Sequence, residues 1–465
     1  MTLTQRSAKS LLADLSNGSL SAVELMQATL ARIDAVNGKV NAIVGLRDPD
    51  ALLAEAREKD RRPSRGPLHG LPIAVKDLVN VAGILSTHGS PIFADAVPEK
   101  DDLIAERMRA AGAILIGKTN TPEFGLGSHT FNPVHGATRN PYDTSRSCGG
   151  SSGGAAVSLA AGMTALADGS DMMGSLRNPA AWNNVYGFRP SWGRVPSEPV
   201  GDTFLHQLST LGPMGRSPED VAILLDVVAG PDPRQPHGLA ADPVAPLAHL
   251  DPKGLRIGWL GDWDGAFPME DGILDLSADA LSVMETLGCI VEPVAAPFSA
   301  DAMWQSWIDL RSWQVSAGLA AHLAEGAKLK ESAIWETERG LALTAMDVHR
   351  ASIVRSEWFK AAAALFETYD ALILPSAQVW PFDGDIPYPT SIAGHSMDTY
   401  HRWMQVVVPI SLIGLPALAA PAGFGPQGLP MGVQIFGPRG SDARLLALGA
   451  AYHAATDWPQ HLPPL

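Results

Sequence analysis

A hydrolytic site needs at least a nucleophile and a base able to take its proton, and this chain is rich in serines suited to the first role. Gly149-Gly150-Ser151-Ser152-Gly153-Gly154 sets two serines among four glycines, a backbone that takes rare φ/ψ values and can approach a ligand closely. Further on, Gly169-Ser170-Asp171-Met172-Met173-Gly174-Ser175-Leu176-Arg177-Asn178-Pro179-Ala180 places Ser175 directly after Gly174 in a polar, turn-prone stretch. A free serine hydroxyl is a weak nucleophile and needs an activating base. The thirteen histidines are scattered and none stands in a readable catalytic motif. Lysine is the other option, because burial in a low-dielectric cluster favours the neutral amine. Lys76, at the end of the apolar run Ile73-Ala74-Val75, suits that role. Taken singly, Lys76 reads as a solvated strand-end charge beside Asp77, and a Gly-rich run reads as a turn.

Those residues need elements to position them. Ser21-Ala22-Val23-Glu24 is a capping box, and residues 5–60 read as helical, with a charged helix over about 50–60. Arg62 to Pro67 reads as a loop. Ile73 to Val75 reads as a strand that delivers Lys76 and Asp77 to a sheet edge, residues 101–111 as a helix and Ala113 to Gly117 as the next strand. Residues 131–150 are turn-rich, and an Ala-rich helix is expected over about 154–162. A Pro/Ala-rich internal linker covers about 230–254. Beyond it come a strand at 255–260, a helix at about 272–287, a strand at Cys289 to Val291, a largely helical region over 300–368, strands at 371–374 and 432–436, and a last helix capped by Ser441-Asp442. Alternating strands and helices predict a layered α/β fold.

Composition narrows the partners. Apolar residues make up 46% of the 465 and charged residues 18%, enough for a large core. A formal charge of −15 without any basic run argues against a nucleic-acid surface. The charge-free stretches 151–167 and 403–424 are, respectively, too short and too broken by Pro and Gly to span a membrane, so both read as buried core. Two cysteines, Cys148 and Cys289, make no disulfide framework. The N-terminal residues lack a signal-peptide pattern, so a cytoplasmic location is expected. No zinc-ligand spacing or phosphate loop occurs, so neither metal nor cofactor is expected.

Gly70-Leu71-Pro72-Ile73-Ala74-Val75-Lys76-Asp77, the Gly149 to Gly154 stretch and Gly174-Ser175-Leu176-Arg177-Asn178-Pro179-Ala180 together resemble the amidase signature family. Lys76 and Ser151 are 75 residues apart and Ser151 and Ser175 are 24 apart, the family's usual separations. Flanking pieces match from Gly117-Lys118-Thr119-Asn120 to the C-terminal Leu429-Pro430-Met431-Gly432-Val433-Gln434, so the likeness spans essentially the whole chain. It implies one large α/β domain over 1–465, a central mixed sheet covered by helices on both faces. Its parts are a helical N-terminal segment (1–65), a signature core (66–200) and a C-terminal half (255–465) after the linker.

The resemblance also implies roles. Ser175 is the nucleophile, Ser151, on a cis peptide bond, relays the proton, and neutral Lys76 is the general base of a Ser-Ser-Lys triad. The oxyanion hole is formed by backbone N–H groups of Met172, Met173, Gly174 and Ser175. Ser152, Asp171 and Arg177 support the site. The reaction is hydrolysis of a carboxamide through an acyl-enzyme, with a small-molecule amide as the partner; a homodimer is compatible with this reading.

Some positions depart from the family pattern. Met172-Met173 stands where relatives carry Thr-Gly or Ile-Gly, and a left-handed backbone at Met173 would be strained. Cys148 stands where proline is common, so thiol reagents are expected to perturb activity. Asn178 occupies a position where relatives acting on small acids carry arginine, which argues against a malonate-type substrate. Trp304 and Trp307, at helical spacing, read either as a core stripe or, with Met173, as the pocket for an apolar or aromatic amide of small to medium size. Three alternatives stand beside the free-standing amidase: a glutamine-hydrolysing subunit of a tRNA-dependent amidotransferase, a Gly-x-Ser-x-Gly nucleophile elbow using Ser152, which requires a preceding strand, and a catalytically silent scaffold.

Overall fold

Short apolar runs buried on both faces form strands whose alternate residues enter different cores. In the computed structural model, which describes residues 2–62, 66–240 and 242–465, the main strands are β1 (Ile43–Val44), β2 (Pro72–Lys76), β3 (Ile114–Thr119), β4 (Leu166–Asp171), β5 (Tyr186–Arg189), β6 (Thr210–Gly215), β7 (Arg256–Trp259), β8 (Ile290–Pro293), β9 (Ala371–Pro375), β10 (Ala417–Phe424) and β11 (Pro430–Phe436). Eight of them form one mixed sheet in the order β8-β7-β9-β11-β10-β5-β6-β4, and β1-β3-β2 form a second sheet. Pairing is parallel for β8/β7, β7/β9 and β2/β3 and antiparallel elsewhere in these two sheets.

Helices cover both faces of the large sheet. In β9, Ala371 and Ile373 join one core with the helices Pro218–Val228, Ile273–Thr286 and Asp442–Thr456. Leu372 and Leu374 point the other way, into a core with the helices Arg177–Trp182, Ala300–Ala324, Ala345–Leu365 and Val408–Ile413. This is the single-domain α/β architecture with a mixed sheet that the resemblance implied.

Local expectations met mixed outcomes. The capping box forms, with Ser21 Oγ accepting from Glu24 N at 3.1 Å and Ser21 N donating to Glu24 Oε2 at 2.9 Å. The N-terminal helical stretch is broken by β1 between the helices Ala22–Val40 and Pro49–Arg61. The loop expected over 62–67 falls for residues 63–65 outside the described residues. Residues 230–254 hold no helix or strand among the described residues. Their start is pinned by Arg107, whose guanidinium donates to the carbonyls of Val228, Ala229 and Gly230 at 2.7, 2.8 and 3.1 Å. Ser441 precedes the last helix but its side chain caps nothing; the Asp442 carboxylate instead accepts from Ser191 N at 2.9 Å and Ser191 Oγ at 2.6 Å. Strand β4 was not anticipated, because Leu166-Ala167-Asp168-Gly169-Ser170-Asp171 carries residues depleted in strands.

Candidate active site

Strand β2 ends one sheet, strand β4 ends the other, and the loop Gly149 to Ser152 runs into the helix Gly153–Ala160. Lys76 lies where these three meet, 1% exposed. Its Nζ donates to Ser151 Oγ at 2.8 Å, Ser152 Oγ at 2.8 Å and Ser170 Oγ at 2.9 Å. Burial pulls its proton affinity down to about 7, against the opposing pull of Asp168 and Asp171. Three neutral hydroxyls therefore surround an amine that gives up its proton near neutrality. The helix that follows packs closely because it begins with glycines: a Cβ on Gly154 would stand 2.3 Å from Asn120 N.

The two serines are equidistant from the amine but differ in bonding. Ser152 Oγ also accepts from Ser170 N at 3.3 Å and lies 3.4 Å from Ser170 O, to which it donates. Ser151 Oγ has Lys76 as its hydrogen-bond partner among the described residues and donates to none of them, which leaves its own proton available for a further acceptor. The Gly150–Ser151 peptide bond is cis. No strand directly precedes Ser152 among the described residues, contrary to the requirement of a nucleophile elbow.

Ser175 sits in the turn between β4 and the helix Arg177–Trp182, 7% exposed. Its carbonyl accepts from Ser152 N at 3.3 Å, while its hydroxyl forms no hydrogen bond with Ser151. Asp171 braces the turn, accepting from Gly174 N at 2.9 Å, Leu176 N at 3.2 Å, Arg177 Nε at 2.9 Å and Nη2 at 3.0 Å, and Arg189 Nη1 at 3.1 Å. Burial alone would raise the Asp171 pKa, but Arg177 and Arg189 override it and hold the carboxyl well below the usual carboxylate range. Arg177 continues the brace to Gln434 Oε1 at 2.5 Å and Ser411 Oγ at 2.6 Å. One correction follows: Gly174 N–H is committed to Asp171, so it is no free donor for an oxyanion. The N–H groups of Met172, Met173 and Ser175 have no acceptor among the described residues.

The pattern of a whole chain decides between families more firmly than any one contact. The family model described as "Amidase" matches residues 24–446. The chain belongs to the amidase family. It is 35% identical to a subunit of the glutamyl-tRNA(Gln) amidotransferase of Chloroflexus aurantiacus, covering 97% of each chain. It is 32% identical to an acylamidase of Rhodococcus erythropolis, over 98% of this chain and 97% of that one. The solved structure of a bacterial aryl acylamidase of the amidase signature family superposes with a TM-score of 0.91 at 29% identity, over 98% of this chain and 97% of that one. This amidase is an amide C–N hydrolase.

Beside the serine loop of this amidase opens a cavity of about 490 Å³. It is lined by Leu126 to His129, Phe131, Lys330, Trp335, Tyr388, Tyr400 and Trp403, among others. Ser128 ties this wall to the serine loop, its Oγ donating to Gly150 O at 2.6 Å. Trp304 and Trp307 are not in that lining. Both are buried in the same apolar core as Met173, with Trp304 also under the Arg402 guanidinium at 4.6 Å. The aromatic lining comes instead from Phe131, Trp335, Tyr388, Tyr400 and Trp403.

Met173 does not take a left-handed backbone; the left-handed position is Gly174, at φ +77°. Met172 Sδ accepts from Arg311 Nη1 at 3.3 Å. Arg311 is itself neutralised by Glu336, at 2.6 Å, and donates to Tyr400 OH at 2.9 Å. The Cys148 thiol is fully buried and burial pushes its pKa up to about 12. A sealed, protonated thiol is a poor target for thiol reagents, which weighs against the expected sensitivity.

Ser170 and Asp168 escaped sequence reasoning. Their signal was there: residues two apart on a strand share a face, so Asp168 and Ser170 point together towards Lys76. Among the described residues no cluster of His, Cys, Asp or Glu could hold a metal ion, and no helix is long and apolar enough to cross a membrane.

Proposed function

We propose that this amidase hydrolyses a small to medium carboxamide bearing an apolar or aromatic group, through an acyl-enzyme on Ser175. The neutral Lys76 amine accepts the Ser151 proton as Ser151 accepts that of Ser175, and Ser175 Oγ bonds to the amide carbon. The N–H groups of Met172, Met173 and Ser175 receive the oxyanion. Collapse of the tetrahedral adduct breaks the C–N bond, and the relay returns the proton to the leaving amine or ammonia. Water then attacks the ester carbon, loses its proton to the same relay, and releases the acid and Ser175.

One observation carries this reading: a buried, near-neutral lysine amine bonded to a serine hydroxyl whose own proton is uncommitted. The cavity's aromatic side chains support the apolar substrate class.

The second reading, a glutamine-hydrolysing component of a tRNA-dependent amidotransferase, is supported by the 35% identity to a protein of that kind. The cavity wall weighs against it: two carboxylates, Glu331 and Asp398, and one lysine, Lys330, line it, a poor seat for the free carboxylate of glutamine.

A fluorophosphonate probe followed by peptide mass spectrometry tests the assignment. The adduct is expected on Ser175, and Ser175→Ala is expected to abolish it. An adduct on Ser152 sinks the proposal. Glutamine and a panel of aryl and alkyl amides, assayed on the isolated chain, separate the two readings.

A further inference from the structure

Asp168 and Asp171 stand three residues apart on strand β4, both fully buried, yet their surroundings differ sharply. Asp171 accepts hydrogen bonds from two backbone N–H groups and two guanidinium side chains. Among the described residues the hydrogen bond that Asp168 accepts comes from the backbone N–H of Lys76, at 2.9 Å, to Oδ1. Its Oδ2 has no hydrogen-bond partner among the described residues. Burying a carboxylate with one oxygen unsatisfied is costly, and native folds keep such groups where they do something else.

The position of Asp168 suggests what that is. Its bond to Lys76 N joins the edge strand of one sheet to the edge strand of the other. On the same face of β4, Ser170 Oγ accepts from Lys76 Nζ. Strand β4 thus holds the lysine at both ends: Asp168 by its main chain, Ser170 by its amine. We propose that Asp168 is a positioning residue for Lys76, clamping the end of β2 so that the amine stays among its three hydroxyls and biasing its protonation through a neighbouring negative charge.

The inference rests on Lys76 being the general base. The charged groups around the pair are few. On β2 and just after it are Lys76 and Asp77, on β3 is Lys118, and on β4 are Asp168 and Asp171. Lys118 lies 3.8 Å from Asp77, and Asp102 acts on it from a greater distance. Burial raises the Asp168 pKa, partly countered by the Lys76 N–H, Lys118 and Lys76. Asp168 in turn favours the protonated form of Lys76, so removing its charge lets the amine lose its proton at lower pH.

The test is the rate at which an alkyl fluorophosphonate modifies the full-length enzyme, measured from pH ~5.5 to ~9.5, where a general base leaves an acid limb. Asp168→Asn keeps an oxygen acceptor for Lys76 N and drops the charge. Its acid limb is expected to move to lower pH by at least about half a unit, with the plateau rate within about threefold of the parent. Asp168→Leu removes the acceptor, and its plateau rate is expected to fall about tenfold or more while the concentration of probe giving half-maximal rate stays unchanged. If Asp168→Leu does not fold, the Asn variant decides alone. An Asn limb that coincides with the parent's overturns the proposal, whatever happens to stability, because a carboxylate that bears on the Lys76 amine must move the limb when its charge is removed. Lys76→Met separates the underlying reading: modification at the parent rate in that variant overturns the assignment of Lys76, whereas loss of it with an unmoved Asp168→Asn limb overturns only the role of Asp168.

Discussion

Lys76 Nζ and Ser151 Oγ, 75 residues apart in the chain, meet at 2.8 Å inside a protein that leaves the lysine 1% exposed. A charged ammonium would be poorly solvated there, and under the proposed mechanism the contact joins the general base to the hydroxyl that relays the proton.

Activity should follow the neutral amine. With burial holding Lys76 at about 7, the rate of the chemical step is expected to rise tenfold per pH unit below about 6 and level off above about 8. Single-turnover rates over that range check this, and a profile flat through neutrality would contradict it. Lys76→Met should lower the plateau about 10²–10⁴-fold.

The same burial makes stability depend on pH. In the unfolded chain Lys76 keeps its proton up to its ordinary value of 10.5, whereas in the folded chain it keeps it only up to about 7. Between these values the unfolded state binds the extra proton, so raising pH favours folding; the penalty is complete below about 7 and gone above about 10.5. Urea denaturation of the parent and Lys76→Met at several pH values between 7 and 9.5 should show their difference changing in the parent's favour by about 1.4 kcal/mol per pH unit. A difference independent of pH would mean that the folded lysine titrates normally.

Asp171 is expected to serve the turn, which its hydrogen bonds to Gly174 N, Leu176 N and two guanidiniums brace. Asp171→Asn leaves Arg177 and Arg189 buried beside a neutral side chain, which is expected to cost about 3–5 kcal/mol in urea unfolding. The acid limb of activity should move down as well, because a second carboxylate near Lys76 is gone. Retention of full stability would show that the guanidiniums find other partners.

The Met172-Met173 turn makes a packing prediction. Met173 is 3% exposed and borders a small void with Asn178, Trp403, Met404 and Val407. Because its backbone is not left-handed, glycine brings no relief there. Met173→Gly is expected to destabilise by about 3 kcal/mol through the cavity it leaves, and Met173→Leu by under about 1.5 kcal/mol. Equilibrium denaturation distinguishes this from strain at the position, under which the glycine variant would be the more stable one.

The order of three motifs was enough to read the family and the mixed α/β domain, and Ile73 to Val75 was enough to read β2, because an apolar run ending in a charge has few other fates. Strand β4 was illegible: its glycine, serine and two aspartates belong to a strand only because β6 pairs with it and β2 lies beside it. The tryptophans were legible as helical stripes but not as to which stripe meets the cavity. On the helix Ala300–Ala324 apolar side chains pack towards the core, and the open wall falls instead to Trp335 and to Tyr388, Tyr400 and Trp403 beyond it.

By itself, then, the sequence determined which kinds of group are present and in what order: two glycine-flanked serines, a third serine after Gly174 and a lysine at a strand end. Only the tertiary structure decided that Lys76 reaches Ser151, Ser152 and Ser170 alike, that Ser152 is partly spent on Ser170, and that Gly174 N–H belongs to Asp171. The reason is that hydrogen-bond partnership and proton affinity depend on what surrounds an atom. For Lys76 those surroundings come from the edges of two sheets and a loop that are distant in the chain.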